Sequence, residues 1–290
     1  MQRNRHRTRM AAATLITLGL GMLAAGARGA EPQWRLGIQA YSFNRFSLFE
    51  AIDKTQSLGL HWIEAYPGQR LSKEQPGVAF DHNAPAEVLD AAQKKLEAAG
   101  VKLVNYGVVG LGNDEAANRK VFEFARRMGI KTIVSEPEPG SFDLLDKLTA
   151  EYGINVAIHN HPKPSRYWDP QIVLDAVKDH SKRIGACADT GHWMRSGVQP
   201  VEALKLLEGR IVASHLKDLN EFGVNSAHDV PWGTGKAGMD DILAELKRQD
   251  FGGVFSVEYE HNWDNSVPEI AQCVKYFRAT EARLYGATSK

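Results

Sequence analysis

Eight short apolar runs, each followed by a longer stretch with helical spacing, fill the chain from Trp34 onward. They are 35–43 (RLGIQAYSF), 61–67 (HWIEAYP), 102–109 (KLVNYGVV), 131–138 (KTIVSEPE), 155–162 (NVAIHNHP), 184–192 (IGACADTGH), 211–219 (IVASHLKDL) and 253–260 (GVFSVEYE). Between them lie amphipathic segments such as PAEVLDAAQKKLEAAG, where Val88, Leu89, Ala92 and Leu96 recur at helical spacing and Gly100 supplies a stop. EFARRMGI and LDKLTAEYGI end the same way, with a glycine leading into the next run. Eight such units in a row predict an α/β fold, a (β/α)8 TIM barrel. No composition break or Ser/Pro-rich linker marks a second domain, and 290 residues that are 43% hydrophobic can bury a core of that size.

The N-terminal segment reads differently. Arg3, Arg5, Arg7 and Arg9 precede an apolar run from Ala11 to Ala25, followed by the small residues Gly26 and Ala27. This is the layout of a secretory signal peptide over 1–27, leaving 28–290 as the barrel in a periplasmic or secreted protein. The apolar run is shorter than the roughly 20 residues needed to cross a bilayer, so no membrane association is expected after cleavage. Removal of four arginines and no acids turns 35 basic against 35 acidic residues into 31 against 35, a formal charge of −4. That balance argues against a nucleic-acid partner. Cys187 and Cys273 are isolated in sequence and are read as buried small hydrophobes rather than a disulfide. A homo-oligomer is compatible with the sequence.

In such a barrel the chemistry sits at the C-terminal ends of the strands. Polar residues gather there: Glu136 and Glu138 on the fourth run, His159 and His161 on the fifth, Asp189 and His192 on the sixth, His215, Lys217 and Asp218 on the seventh, Glu258 and Glu260 on the eighth. Alternation puts Glu136, His159, Asp189, His215 and Glu258 on the same faces as the small or apolar Val134, Ala157, Cys187, Ala213 and Ser256. All five side chains are therefore directed at the barrel axis. Several ionisable groups buried together cost several kcal/mol each unless compensated, and a divalent metal ion accepting imidazole and carboxylate compensates them.

VAIHNHP, ACADTGHW, SHLKD and SVEYE, in this order on successive runs, resemble the xylose-isomerase-like TIM-barrel superfamily, from about Trp34 to the end. The resemblance implies a metal (Mn, Co, Mg or Zn) held at the ends of strands five to eight, and the matching positions are His159, Asp189, His215 and Glu258. One position departs: where the ketose epimerases of that superfamily have a glutamate on strand five, this chain has His159. Those enzymes use two metal-bound glutamates as bases, so here Glu258 is the expected catalytic base on one face and Glu136, Glu64 or a histidine on the other. Glu136 is the nearest inward carboxylate and is taken as catalytic. His192 matches a position that contacts substrate oxygen in the epimerases, and Lys217 is placed to stabilise charge on an enolate oxygen. Tyr41, Glu64 and His161 at strand ends, with Trp193 and Trp232 just beyond them, complete the expected contacts to a carbohydrate substrate. The glycine-rich connection 220–238 is expected to fold over the mouth.

The expected function is a divalent-metal-dependent sugar isomerase or epimerase acting on a carbonyl sugar through an enediolate. The alternatives are a metal-dependent lyase or hydratase acting on a keto-sugar or 3-keto-glycoside, and a non-catalytic periplasmic sugar-binding protein. No dinucleotide fingerprint, Walker pattern or nucleophile elbow is present.

Overall fold

The computed structural model describes residues 34–286, so the proposed signal peptide lies outside the described residues. Eight parallel strands close into a barrel: β1 (Arg35–Gln39), β2 (Trp62–Ala65), β3 (Lys102–Val109), β4 (Thr132–Ser135), β5 (Asn155–His159), β6 (Ile184–Asp189), β7 (Ile211–Leu216) and β8 (Val254–Val257). Each strand pairs with its neighbours in sequence, and β8 returns to β1 in the register Arg35 to Val254 and Ile38 to Val257. The helices α1 (Leu48–Ser57), α2 (Ala86–Ala99), α3 (Glu115–Met128), α4 (Phe142–Tyr152), α5 (Pro170–Val177), α6 (Thr190–Arg195), α7 (Pro200–Leu206), α8 (Met239–Arg248) and α9 (Val267–Gly286) fill the connections.

Local signals account for the helix boundaries. Ser47 and Glu50 form a reciprocal capping box at the start of α1. The glycines expected to stop α3 and α4, Gly129 and Gly153, adopt left-handed conformations with φ of 75° and 67°. One continuous core lies between strands and helices, and a second, small one fills the barrel interior: Val134, Ala157, Cys187 and Ala213, all buried. These are residues that alternation directed inward, and they form the floor beneath the polar strand ends. Both cysteines are buried and unbridged.

The strands stop earlier than the apolar runs do. β1 gives way at Ala40 to a turn of 3-10 helix, and β6 ends at Asp189, whose carboxylate caps α6 by accepting the His192 amide at 2.7 Å. That cap turns the chain inward at the barrel mouth, which decides the fate of the residues after Asp189.

Candidate metal centre and active site

Immediately above the apolar floor, β5, β6, β7 and the residue after β8 deliver His159, Asp189, His215 and Glu258, none more than 6% exposed. One donor atom from each lies within 4.8 Å of all the others. The spacing follows from the parallel register, in which His159 pairs with Cys187 and Asp189 with His215 on adjacent strands.

The hydrogen bonding around this cluster leaves the donor atoms expected of cation ligands. His215 Nε2 donates to Glu64 Oε1 at 3.0 Å, and Glu64 also accepts from Gln39 Nε2 and Asn105 Nδ2, each at 3.2 Å. His215 Nδ1 is thereby the nitrogen turned to the cluster, 3.1 Å from Glu258 Oε2 but without the alignment of a hydrogen bond. Both ring nitrogens of His159 are buried without a hydrogen-bond partner, and its Nε2 stands 3.5 Å from Asp189 Oδ2. Unpaired buried polar atoms cost about 1–3 kcal/mol each, so the donor set fits a divalent ion of the nitrogen- and oxygen-binding class. A carboxylate behind a ligating imidazole is the usual means of fixing its tautomer. Glu64 therefore stands behind the cluster rather than against substrate: it is 1% exposed and does not line the cavity.

Lys217 is the residue whose placement sequence reasoning missed. Its fully buried ammonium donates to Asp189 Oδ2 and Glu258 Oε2, both at 2.6 Å, with Glu260 Oε2 at 3.6 Å. The DTGH stretch explains how it gets there. The Thr190 hydroxyl bonds to both the carbonyl and the amide of Lys217, and a Cβ on Gly191 would lie 2.6 Å from Lys217 Cβ and 2.7 Å from its Cδ. Burial opposes the charge on Lys217, yet Asp189 and Glu258 hold its pKa well above the usual lysine value. Burial likewise opposes ionisation of both carboxylates, and the Lys217 ammonium overcomes it for both, joined by His215 at Glu258; His192 beside Asp189 is itself kept neutral by burial. Burial alone would lower the His215 pKa, but it is held well above the ordinary imidazole value. The Cys187 thiol beside it is pushed up to about 11 by burial and stays neutral, so the effective partners are the carboxylates of Glu64 and Glu258.

His192 lies 5% exposed at the cavity wall. Arg195 Nη1 donates to its Nδ1 at 3.0 Å and to Glu260 Oε2 at 2.7 Å. Because a guanidinium only donates, His192 carries its proton on Nε2, and burial holds its pKa well below the usual value. The neutral ring lines the cavity while its Nε2 stands 3.7 Å from Asp189 Oδ2 and 3.5 Å from Lys217 Nζ. Arg195 stands one helical turn after His192 in sequence, the spacing that sets it beside the ring.

Glu136 is taken up by His161. Its Oε1 accepts a short hydrogen bond from His161 Nδ1, its Oε2 accepts from Ser165 Oγ at 3.2 Å, and His159 Nδ1 is 3.9 Å away. Burial works against its ionisation, but the two histidines hold its pKa far below the carboxylate range. His161 lines the cavity and Glu136 does not. Between the two histidines, the Asn160 side chain bonds both the amide and the carbonyl of Asp189 at 2.9 Å, tying the ends of β5 and β6 together.

The cavity above the cluster measures about 420 Å³. His159, His161, His192, Glu258 and Glu260 form its polar side, and Tyr41, Tyr66 and Val108 face the same space. Tyr41, 40% exposed, meets Tyr66 edge-on at 5.3 Å and Trp263 at 5.8 Å. The expected contacts from Trp193 and Trp232 are corrected: both are buried, at 0% and 2% exposure, and neither reaches the cavity. Trp193 is carried into the core because α6 begins at Thr190, and Trp232 packs toward Phe277. The connection 220–238 is not folded over the mouth either. Asp218 fastens it to the barrel rim by accepting the amides of Gly233, Gly235 and Ala237 at 2.9 Å, and none of its residues lines the cavity.

Among known proteins, the family described as xylose isomerase-like TIM barrel matches residues 52–280. An inosose dehydratase of Bacillus cereus is 29% identical over 156 residues, 49% of this chain and 50% of that protein, so the chain spans about half the length of the curated relatives it matches. A solved structure of an uncharacterised protein from Parabacteroides distasonis ATCC 8503 is 33% identical with a TM-score of 0.69, covering 85% of this chain and 98% of its own. The structure of an L-ribulose 3-epimerase superposes with a TM-score of 0.66 at 14% identity, over 89% of this chain and 98% of its own, a likeness of fold.

Proposed function

This chain belongs to the xylose isomerase-like TIM-barrel family, and on that premise we propose that it is a divalent-metal-dependent enzyme that enolises a carbonyl sugar and completes the reaction as an isomerisation or epimerisation. The observation that carries the reading is the convergence of His159, Asp189, His215 and Glu258 under a cavity that also presents His161 and His192. A bound divalent ion would polarise a carbonyl and its neighbouring hydroxyl, acidifying the carbon-bound proton next to the carbonyl.

The chain's own groups supply the rest. Glu258, held ionised by Lys217 and His215, reaches the cavity and is the group to accept the proton. His161 is the second proton carrier, with Glu136 fixing its ring in the role the sequence assigned to Glu136 itself. His192, in the cavity wall, contacts a sugar oxygen, and Tyr41 offers an aromatic face to sugar C–H groups. If the N-terminal segment directs export, the substrate is an unphosphorylated or oxidised sugar.

A second reading is favoured by one observation. With an imidazole at the strand-five position, only one carboxylate of the cluster, Glu258, both reaches the cavity and stands ready as a base, and β-elimination of water or an alcohol needs only one base and one acid. The similarity to inosose dehydratase supports this outcome. The test is metal analysis of the purified protein, then deuterium exchange from solvent into a panel of keto-sugars and keto-glycosides, with products identified by NMR. Exchange with a new stereoisomer supports the first reading, and exchange with an unsaturated product the second. No exchange with metal restored would leave a sugar-binding protein.

A further inference from the structure

We propose that Lys217 is a built-in competitor for the four-ligand cluster: its ammonium and a divalent ion are mutually exclusive partners of Asp189 Oδ2 and Glu258 Oε2, and loading the centre drives the ammonium toward Glu260 and the cavity. The inference rests on reading the cluster as a cation site.

The atoms coincide. Asp189 Oδ2, 2.6 Å from Lys217 Nζ, lies 3.5 Å from His159 Nε2 and 4.0 Å from His215 Nδ1. Glu258 Oε2, also 2.6 Å from Nζ, lies 3.1 Å from His215 Nδ1. The oxygens an ion would share with the two imidazoles are thus already bonded to a fixed positive charge. An ammonium and a dication cannot share that space, since their repulsion in a buried site is screened far less than in water.

The lysine is also built for a short movement. Its stem is packed on Gly191 as far as Cδ, and its backbone is held from both sides by Thr190, so displacement is confined to Cε and Nζ. The next acceptor is at hand: Glu260 Oε2 is 3.6 Å from Nζ and belongs to the cavity wall. In the loaded state the ammonium stands beside the cavity, where it can meet a substrate oxygen. In the metal-free state it neutralises two buried carboxylates that would otherwise repel one another.

The experiment is isothermal titration of Mn2+ and of Co2+ into the full chain as wild type, Lys217→Met and Lys217→Arg. Lys217→Met removes two charge-assisted hydrogen bonds that the ion must break, so it should bind at least tenfold tighter. Lys217→Arg keeps the competing charge and should bind no tighter than wild type. Thermal unfolding provides an independent readout: metal-free Lys217→Met should melt below wild type and gain more on adding the ion. If Lys217→Met folds only with ion present, its rate of ion release to a chelator replaces the titration, and release slower than wild type is expected. Affinity equal to or weaker than wild type in Lys217→Met, or release as fast or faster, overturns the proposal. Binding by Lys217→Met but not by wild type supports the competition while refuting a metal-loaded native centre. Binding by neither refutes both.

Discussion

Glu64 Oε1 accepts the Nε2 proton of His215 at 3.0 Å across 151 residues of sequence, and this contact decides which imidazole nitrogen is left for an ion. Glu64→Gln keeps the shape but loses the charge that fixes the tautomer. We expect divalent-ion affinity to fall by about tenfold or more, the usual scale for a group behind a ligating histidine. Titration calorimetry on a variant with an unchanged far-ultraviolet circular dichroism spectrum checks it. An unaltered affinity would mean that His215 is oriented by its packing alone.

Asp189→Asn separates the two jobs of that residue. The amide can still cap α6 through the contact that Oδ1 makes with the His192 amide, but Lys217 is left with Glu258 as its close carboxylate. Ion binding should be lost and stability should drop by about 3 kcal/mol, the scale for breaking a buried ion pair. The barrel should still fold, because residues at this face serve the site more than the core. A wild-type melting curve would contradict the pairing.

Glu136→Gln tests whether this carboxylate works through His161. Bound metal should remain near the wild-type level while turnover falls by roughly 10², the scale of an impaired general acid or base. His161→Asn should give a similar loss, and the double variant little more, since residues acting as one unit are not additive. Loss of the ion in Glu136→Gln would instead make Glu136 a ligand.

Ion binding should strengthen as pH rises. In the metal-free protein His159 and His215 are held above the ordinary imidazole value of 6.5. Their contribution to stability is fully present below that value and is lost as pH rises through the raised one. Asp189 and Glu258 are depressed below 3.8 and 4.5, so their contribution is present above those values and lost as pH falls through the lowered ones. These four groups therefore support the metal-free state best in mildly acidic solution, while His192, with its lowered pKa, works in the opposite sense below pH 6.5. An ion must displace protons from the imidazoles, so the rise in melting temperature on adding Mn2+ should be larger at pH 8 than at pH 6. A shift independent of pH would place the ion on carboxylates alone.

Periodicity and alternation alone made the barrel legible, because a side chain's face follows from its place in a strand and strand order follows the chain in a (β/α)8 unit. The same rules directed His159, Asp189, His215 and Glu258 at one axis, with Val134, Ala157, Cys187 and Ala213 beneath them. Which partner each group takes was not legible. Glu64 was expected at the substrate and instead holds His215, Glu136 is occupied by His161, and Lys217 spends its charge on Asp189 and Glu258. Trp193 left the rim because a carboxylate cap starts α6 directly after β6. Sequence determines direction through local geometry repeating every two or 3.6 residues, whereas partnership between ionisable groups depends on distances of a few ångströms between strands far apart in the chain, and only closing the barrel sets those.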